Sequence, residues 1–406
     1  MSQRSASIHP ARVLFPLGLG TALSLVGDTT LYAVLPTHTA EAGVALSGVG
    51  ILLSANRAVR VLLNGPAGLA YDRWPRRRLF IPALFVGALS TAVYAATRGF
   101  WPLLLGRLLW GLAWSGIWVG GTTVILDVTT PQDRGRWMGL YQTWFFLGAG
   151  MGAFVGGLLT DRVGFTATMW IGAALTACGG LAALALLPET RPARPEANGS
   201  AADGADRGNR PRLPLPRRLW VAASLQGLNR LVIVGVLAPT LGLLVQDRLS
   251  PVALGLGVAT LTGALVAGRT LVSMAAAPLA GTASDRLGGR WRVAAWGLAI
   301  GAASMVLVSW GTLAALLAGV LLGAVTGGSV QALATALTGD LVGGAQRGRA
   351  VGLVHTFGDL GSAIGPPVAY ALLPGMGLSG VYLLCAGLFA VGLMLLLWLR
   401  LWRNEQ

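Results

Sequence analysis

Gly65-Pro66-Ala67-Gly68-Leu69-Ala70-Tyr71-Asp72-Arg73-Trp74-Pro75-Arg76-Arg77-Arg78 decides the fold, because part of it comes back. Gly68-x3-Asp72-Arg73 recurs as Gly281-x3-Asp285-Arg286, 213 positions on (285 − 72 = 213). The same offset carries Asp127 to Asp340, Arg134-Gly135-Arg136 to Arg347-Gly348-Arg349, and Gly152 to Gly365. The chain therefore reads as a tandem duplication, half against half. Self-similarity on this scale in a very apolar chain implies two like membrane bundles, the plan of many transporters.

Of 406 residues, 54% are hydrophobic and 11% charged, and mean hydropathy is +0.67. A soluble domain is about one quarter charged, so this composition excludes one. Twelve apolar stretches approach or exceed the length of roughly 20 residues that spans a bilayer as a helix. They fall near 13–36, 47–70, 79–97, 101–126, 137–160, 165–187, 219–245, 252–283, 293–310, 313–339, 350–373 and 379–401. The first lacks a small-residue cleavage site and reads as a retained helix. Residues 188–217 hold six prolines and few bulky apolar side chains, the composition of a linker. The expected domains are 1–187, a cytoplasmic linker 188–217, and 218–406.

The net charge of +15 comes from arginine alone, since the chain has no lysine. With a cytoplasmic N-terminus, 22 arginines lie in cytoplasmic segments, and only Arg98, Arg162 and Arg248 lie outside. This bias predicts a multi-pass protein of the plasma (inner) membrane with both termini cytoplasmic. It also explains the basic pI without nucleic acid as a partner. Cys178 and Cys385 lie inside apolar spans and read as small core residues rather than a disulfide.

The stretch at 65–78 and its second copy, Gly281-Thr-Ala-Ser-Asp285-Arg286-Leu-Gly288-Gly289-Arg290, resemble the G-x3-(D/G)-R-x-G-R-R motif of the major facilitator superfamily. Pro75 stands where the motif has its late Gly, whereas the second copy keeps it. The resemblance covers essentially the whole chain. It implies a cytoplasmic charge cluster acting as a gate, at Gly68, Asp72, Arg73, Arg76 and Asp127, and again at Gly281, Asp285, Arg286, Arg290 and Asp340. Arg107-Leu-Leu-Trp110-Gly111 is similar to the family's R-x2-Q-G motif, with Trp110 in place of Gln. Gly148-Ala-Gly150-Met-Gly152-Ala-Phe-Val-Gly156-Gly157 resembles the Gly-rich exporter motif without its Pro. Gly358-Asp359-Leu-Gly361-Ser-Ala-Ile-Gly365-Pro366-Pro367 carries the Gly-Pro.

Ionisable groups within spans are expensive and mark function. They are Asp28, Arg57, Arg60, Arg107, Arg230, Arg269, His355 and Asp359. At a rise of about 1.5 Å per residue, Asp28, Arg57, Arg230, Arg269 and Asp359 fall near mid-bilayer. Two readings of Asp28 stand side by side: a proton-exchanging carboxylate modulated by Arg107, or a static partner of an arginine. Asp359 admits the same proton-coupling role. Two acids face five arginines, which also admits an anion clamp between Arg57 and Arg269, near-equivalent by repeat (269 − 57 = 212). Arg107 and Arg230 are candidates to neutralise the two acids, in pairings that spacing leaves open. Trp110, Trp114 and Trp118 share a helical stripe, and Trp144 is in the next span. They read as an aromatic wall of the substrate cavity, or as lipid-facing residues, and Arg57, Arg60, Arg230, Arg269 and His355 are the other residues expected to line that cavity.

The expected fold is all-α: twelve transmembrane helices in two pseudo-symmetric six-helix bundles around a mid-membrane cavity. The leading functional reading is a secondary active transporter working by alternating access, with proton-coupled export of small amphipathic compounds. The alternatives are a carrier of an organic or inorganic anion held by Arg57 and Arg269, and a non-transporting receptor or scaffold. No metal-ligand cluster, nucleophile elbow or phosphate loop marks an enzyme, and no cofactor is called for. The expected partners are a small-molecule substrate, protons and the lipid bilayer, with the protein a monomer.

Overall fold

The computed structural model describes residues 9–130, 133–190, 216–249, 255–287, 289–342 and 347–401, and every regular element among them is helical. The long helices are α1 (Pro10–Val34), α2 (Leu46–Arg73), α3 (Arg76–Ala96), α4 (Phe100–Val128), α5 (Arg134–Val163) and α6 (Phe165–Leu186). The second set comprises α7 (Arg217–Arg248), α8 (Val258–Arg286), α9 (Arg290–Ser309) and α10 (Leu313–Leu341). Arg347–Leu401 then runs continuously except at Gly377, whose φ of 64° breaks it into α11 (347–376) and α12 (378–401). Most of the linker expected at 188–217 lies outside the described residues.

Each break has a local cause. Gly99 (φ 103°) and Gly164 (φ 84°) take left-handed conformations that let α4 and α6 start immediately after a sharp turn. Pro75 ends α2 and admits α3, because a proline has no N–H to continue the helix. Within the bilayer, hydroxyls turn back onto their own helices: Thr21 Oγ1 to Leu17 O (2.9 Å) and Thr176 Oγ1 to Gly172 O (2.9 Å). Lipid offers no hydrogen bonds, so such local closure is required.

Small residues set the spacing of helices. Across α1 and α6, Gly20 faces Gly179 and Gly27 faces Gly172, and a methyl at Gly172 or Gly179 would meet backbone at 3.1–3.2 Å. One apolar cluster of buried side chains belongs to α1–α6 and another to α7–α12. A third joins the two halves, with Leu31, Val34, Leu52 and Met169 beside Ala259 and Tyr370. It lies at the end of the molecule opposite the arginine-rich loops.

The halves meet along two seams, α2 with α11 and α5 with α8. On the far side, away from those loops, backbones nearly touch. A methyl at Gly50 would strike Pro366 of α11, and one at Gly263 would strike Ala153 of α5. These crossings obey the repeat (50 + 213 = 263; 153 + 213 = 366). On the arginine-rich side the reverse holds. Gly68, Gly139, Gly281 and Gly352 would meet nothing within 4 Å. They too form register pairs (68 + 213 = 281; 139 + 213 = 352). The molecule is thus closed at its far side and splayed at the arginine-rich side.

Replacing Gly263 with Leu should prevent this closure, because its side chain would enter the Ala153 carbonyl. Alkylation of cysteines engineered along the far half of the cavity should rise several-fold in that variant. Unchanged labelling would show that the seam tolerates the volume.

Candidate functional site

Asp28 of α1 and Arg107 of α4 form a deep pair within one bundle. Arg107 Nη1 lies 2.5 Å from Asp28 Oδ1, Nε donates to Leu52 O at 3.0 Å, and Nη2 donates to Tyr32 Oη at 2.9 Å. The Arg107 side chain is 0% exposed. A buried charge is tolerable only when its donors are used in this way. Tyr32 Oη also sits 2.6 Å from Leu53 O and 3.0 Å from Asn56 Oδ1, so a closed network ties α1, α2 and α4. Of the pairings left open by spacing, this structure contains Arg107 with Asp28. Tyr32 and Asn56 escaped the sequence reading, although Tyr32 follows Asp28 by one helical turn.

Asp359 of α11 is placed differently. Its nearest partner is Arg60 of α2 in the opposite bundle, with Nη2 3.0 Å from Oδ1. Arg230 of α7, in its own bundle, lies further off at 3.8 Å. Among the described residues, the ion pair seen to cross between bundles therefore involves Arg60, one of the residues expected to line the cavity.

Prolines supply the second set of ties. Pro366 and Pro367 lack the N–H groups that would bond the carbonyls of Ser362 and Ala363, four residues earlier. Those carbonyls accept instead from the other bundle: Arg57 Nη1 to Ser362 O at 2.7 Å, and Ser54 Oγ to Ala363 O at 2.6 Å. Arg57 Nη1 also reaches Val234 O at 3.2 Å, inside the π-helical segment Arg230–Leu237 of α7. Pro239 stands five residues beyond Val234, the position that would donate in a π-helix. Pro367→Ala should loosen the seam by restoring a local donor to Ala363. A drop of about 1 kcal/mol in thermal unfolding would fit one such neutral bond, and no change would mean that Ser54 contributes nothing.

Arg269 of α8 has a buried Nη1 with no hydrogen-bond partner among the described residues, and it is near enough to Arg57 to feel its charge. Neither Arg57 nor Arg269 has a carboxylate within 4.0 Å among the described residues. The Arg57 guanidinium lies over the Tyr32 ring, 4.8 Å from its centroid. His355 is exposed, one turn before Asp359. The centre thus carries five arginines against two carboxylates.

Trp110 and Trp114 take neither of their two expected places, cavity wall or lipid face. Trp110 and Trp114 are only 2% and 5% exposed and stack on one another at 5.9 Å inside the first bundle. Trp110 packs over Gly87 of α3, whose missing side chain makes room for the ring. Trp118 continues the stack to Tyr141 of α5. Trp144 lies against Gly18 and Phe15 of α1. The helical stripe is real, but α4 turns it toward α3 and α5. Trp110→Ala should cost about 3–5 kcal/mol, as for other buried aromatic truncations, read as lower thermal stability.

At the arginine-rich side, Arg76 Nε lies 2.8 Å from Asp127 Oδ2, joining α3 to α4. Glu189, absent from the sequence expectation, accepts from the backbone N–H groups of Arg76 and Arg77 at 2.9 and 3.1 Å, capping α3. The duplicate pair, Arg290 Nε to Asp340 Oδ2, is 2.6 Å long and joins α9 to α10. Both pairs stay within one bundle. Asp72 with Arg73, and Asp285 with Arg286, end α2 and α8 and are exposed. Beside the cap of α5, Thr130 donates to Asp133 from its hydroxyl and its N–H, at 2.8 and 2.7 Å. Those bonds hold the Asp133 carboxyl below the usual range. An apolar cleft of about 540 Å³ opens at the α2–α11 seam, lined by Ala58, Val61, Leu62, Leu360, Ile364 and Val368. No arginine is among the residues that line it.

Twelve helices in two duplicated bundles around a buried ionic centre define a membrane transporter. The model of the Major Facilitator Superfamily matches residues 17–271 and 219–406, and the chain belongs to that family. Among curated relatives, the inner membrane transport protein YajR of Escherichia coli is 30% identical over 168 residues, 40% of this chain and 36% of that protein. Citrate exporter 1 of Aspergillus niger is 25% identical over 177 residues, 43% of this chain and 33% of that protein. These alignments span about a third of the relatives' length. The crystal structure of the nucleoside transporter NupG superposes with a TM-score of 0.76 at 16% identity, covering 96% of this chain and 98% of that one, a likeness of fold.

Proposed function

We propose that this protein moves a small organic anion across the plasma membrane by alternating access, with Arg57 and Arg269 as its binding groups. The observation that carries this reading is the charge balance at the centre. Arg107 neutralises Asp28, and Asp359 serves both Arg60 and Arg230, while neither Arg57 nor Arg269 has a carboxylate within 4.0 Å among the described residues and Arg269 lies within reach of the charge on Arg57. An arginine at membrane depth without a counter-charge costs about 3 kcal/mol, and Arg269, whose buried Nη1 has no partner among the described residues, is the group whose cost an arriving anion would relieve most. Guanidinium groups suit oxyanions because they donate two parallel hydrogen bonds. A relative that bears the name Citrate exporter 1 is in keeping with this substrate class.

Roles then divide by which bonds must break. Asp28 and Arg107 ride in the same bundle and need not separate as the bundles rock, so their pair is architectural. Asp359 and Arg60 ride in opposite bundles, so their pair changes with the state. This favours Asp359 over Asp28 as the group that links ligand or proton to movement. Proton-coupled export of amphipathic compounds stands as the second reading on that same observation, since protonating Asp359 would release Arg60. Positive-inside bias supports a cytoplasmic location for the arginine-rich, open side.

Thermal-shift titration with matched probes tests the anion reading. Hexanoate, benzoate and citrate should stabilise the purified protein, by about 2.7 kcal/mol at a hundred times Kd, and hexylamine and benzylamine should not. Arg269→Ala should abolish the stabilisation. Stabilisation by the amines alone would overturn the proposal.

A further inference from the structure

The two seams are related by the repeat, yet their polar ties differ. The α2–α11 seam carries Ser54, Arg57 and Arg60. Among the described residues, the charged group that hydrogen-bonds across the α5–α8 seam is Asp161, near the end of α5. Its Oδ2 accepts from Thr260 N–H at 2.7 Å and from Thr260 Oγ1 at 2.6 Å. Thr260 is the third residue of α8, so its N–H is one of those a helix cannot satisfy by itself. The carboxylate also faces the positive end of a 29-residue helix. Gly257, just before α8, makes the room: a methyl there would lie inside the Asp161 carboxylate.

We infer that Asp161 is the far-side gate residue, a cap that one bundle places on the other only while the far side is closed. The inference rests on the alternating-access reading and adds to it a group outside the arginine cluster. Both bonds join atoms of opposite bundles, so no far-side opening leaves them intact. Asp161 is exposed, so water is ready to replace Thr260 once the seam parts. The register mates are Pro374 and Ser47 (161 + 213 = 374; 260 − 213 = 47), a pair with no carboxylate. The carboxylate cap is therefore not repeated at the α2–α11 seam. It differs in kind from Arg76–Asp127 and Arg290–Asp340, which remain within their bundles.

The test uses spin-label distances in the full-length protein, with Cys178→Ser and Cys385→Ala as background. Val163→Cys and Leu256→Cys, 51% and 45% exposed, report the far side. Leu69→Cys and Val351→Cys, 59% and 39% exposed, report the arginine-rich side. Asp161→Ala should raise the far-side ratio of long to short distances about tenfold, since two charge-assisted bonds are lost. Thr260→Val, which keeps the backbone donor, should raise it by less. Arg60→Ala serves as an independent opening control. If Arg60→Ala lengthens the far-side distance and Asp161→Ala does not, the gate assignment is overturned and alternation stands. If no variant moves either pair, alternation fails and the gate falls with it.

Discussion

Arg107→Ala is expected to lower stability by about 3–5 kcal/mol, the usual cost of leaving one partner of a buried ion pair alone. Asp28 would then lose its 2.5 Å partner, and Tyr32 Oη and Leu52 O would each lose a donor. The loss should not be made good by water, because Arg107 is fully enclosed. Thermal unfolding of the purified protein reads the effect directly. Asp28→Ala should also destabilise, and the double variant should cost clearly less than the sum, because the pair acts as a unit. Additive losses would show that the two residues stabilise the bundle separately. If transport at a permissive temperature survives in Asp28→Asn, the pair is architectural. Abolition of transport with unchanged stability would return proton exchange to Asp28.

Asp359→Asn should reduce transport by about 100-fold while leaving the protein folded. Asparagine keeps the shape but withdraws the charge that Arg60 reaches across the seam at 3.0 Å and Arg230 approaches at 3.8 Å. The centre then changes from five arginines against two acids to five against one. Anion affinity should rise, about tenfold for roughly 1.4 kcal/mol of added attraction, and release should become limiting. Tighter binding with slower turnover separates this from a simple folding defect, which would weaken both. An Asp359→Asn protein that transports at the normal rate would remove Asp359 from the mechanism.

The duplication was legible in the sequence, and it extends to backbone contacts. Gly50 and Gly263, and Ala153 and Pro366, occupy matched crossings because close approach requires the same small volumes at the same register. The intramembrane charges were legible as candidates, since cost alone singles them out. Their pairings were not, because partners come from different helices whose rotation no local pattern sets. Arg60 was underrated for that reason. The Pro366-Pro367 pair was noticed as part of a motif, but its effect of freeing two carbonyls for Arg57 and Ser54 depends on which helix lies opposite. Trp110 and Trp114 misled because a stripe at helical spacing looks the same whether it faces a cavity or a neighbouring helix. The halves differ at their charges: Asp28, Asp359 and Asp161 all lack acidic mates at the 213 offset.

The central claim is a moving carrier whose arginine cluster takes anions. Counterflow in proteoliposomes tests it most directly, using radiolabelled benzoate or citrate, whichever stabilises the purified protein. Wild-type protein should accumulate label against preloaded unlabelled anion, and Arg57→Ala and Arg269→Ala should each cut that accumulation at least tenfold. Full accumulation in both arginine variants, or none in the wild type with any bound anion, would contradict it.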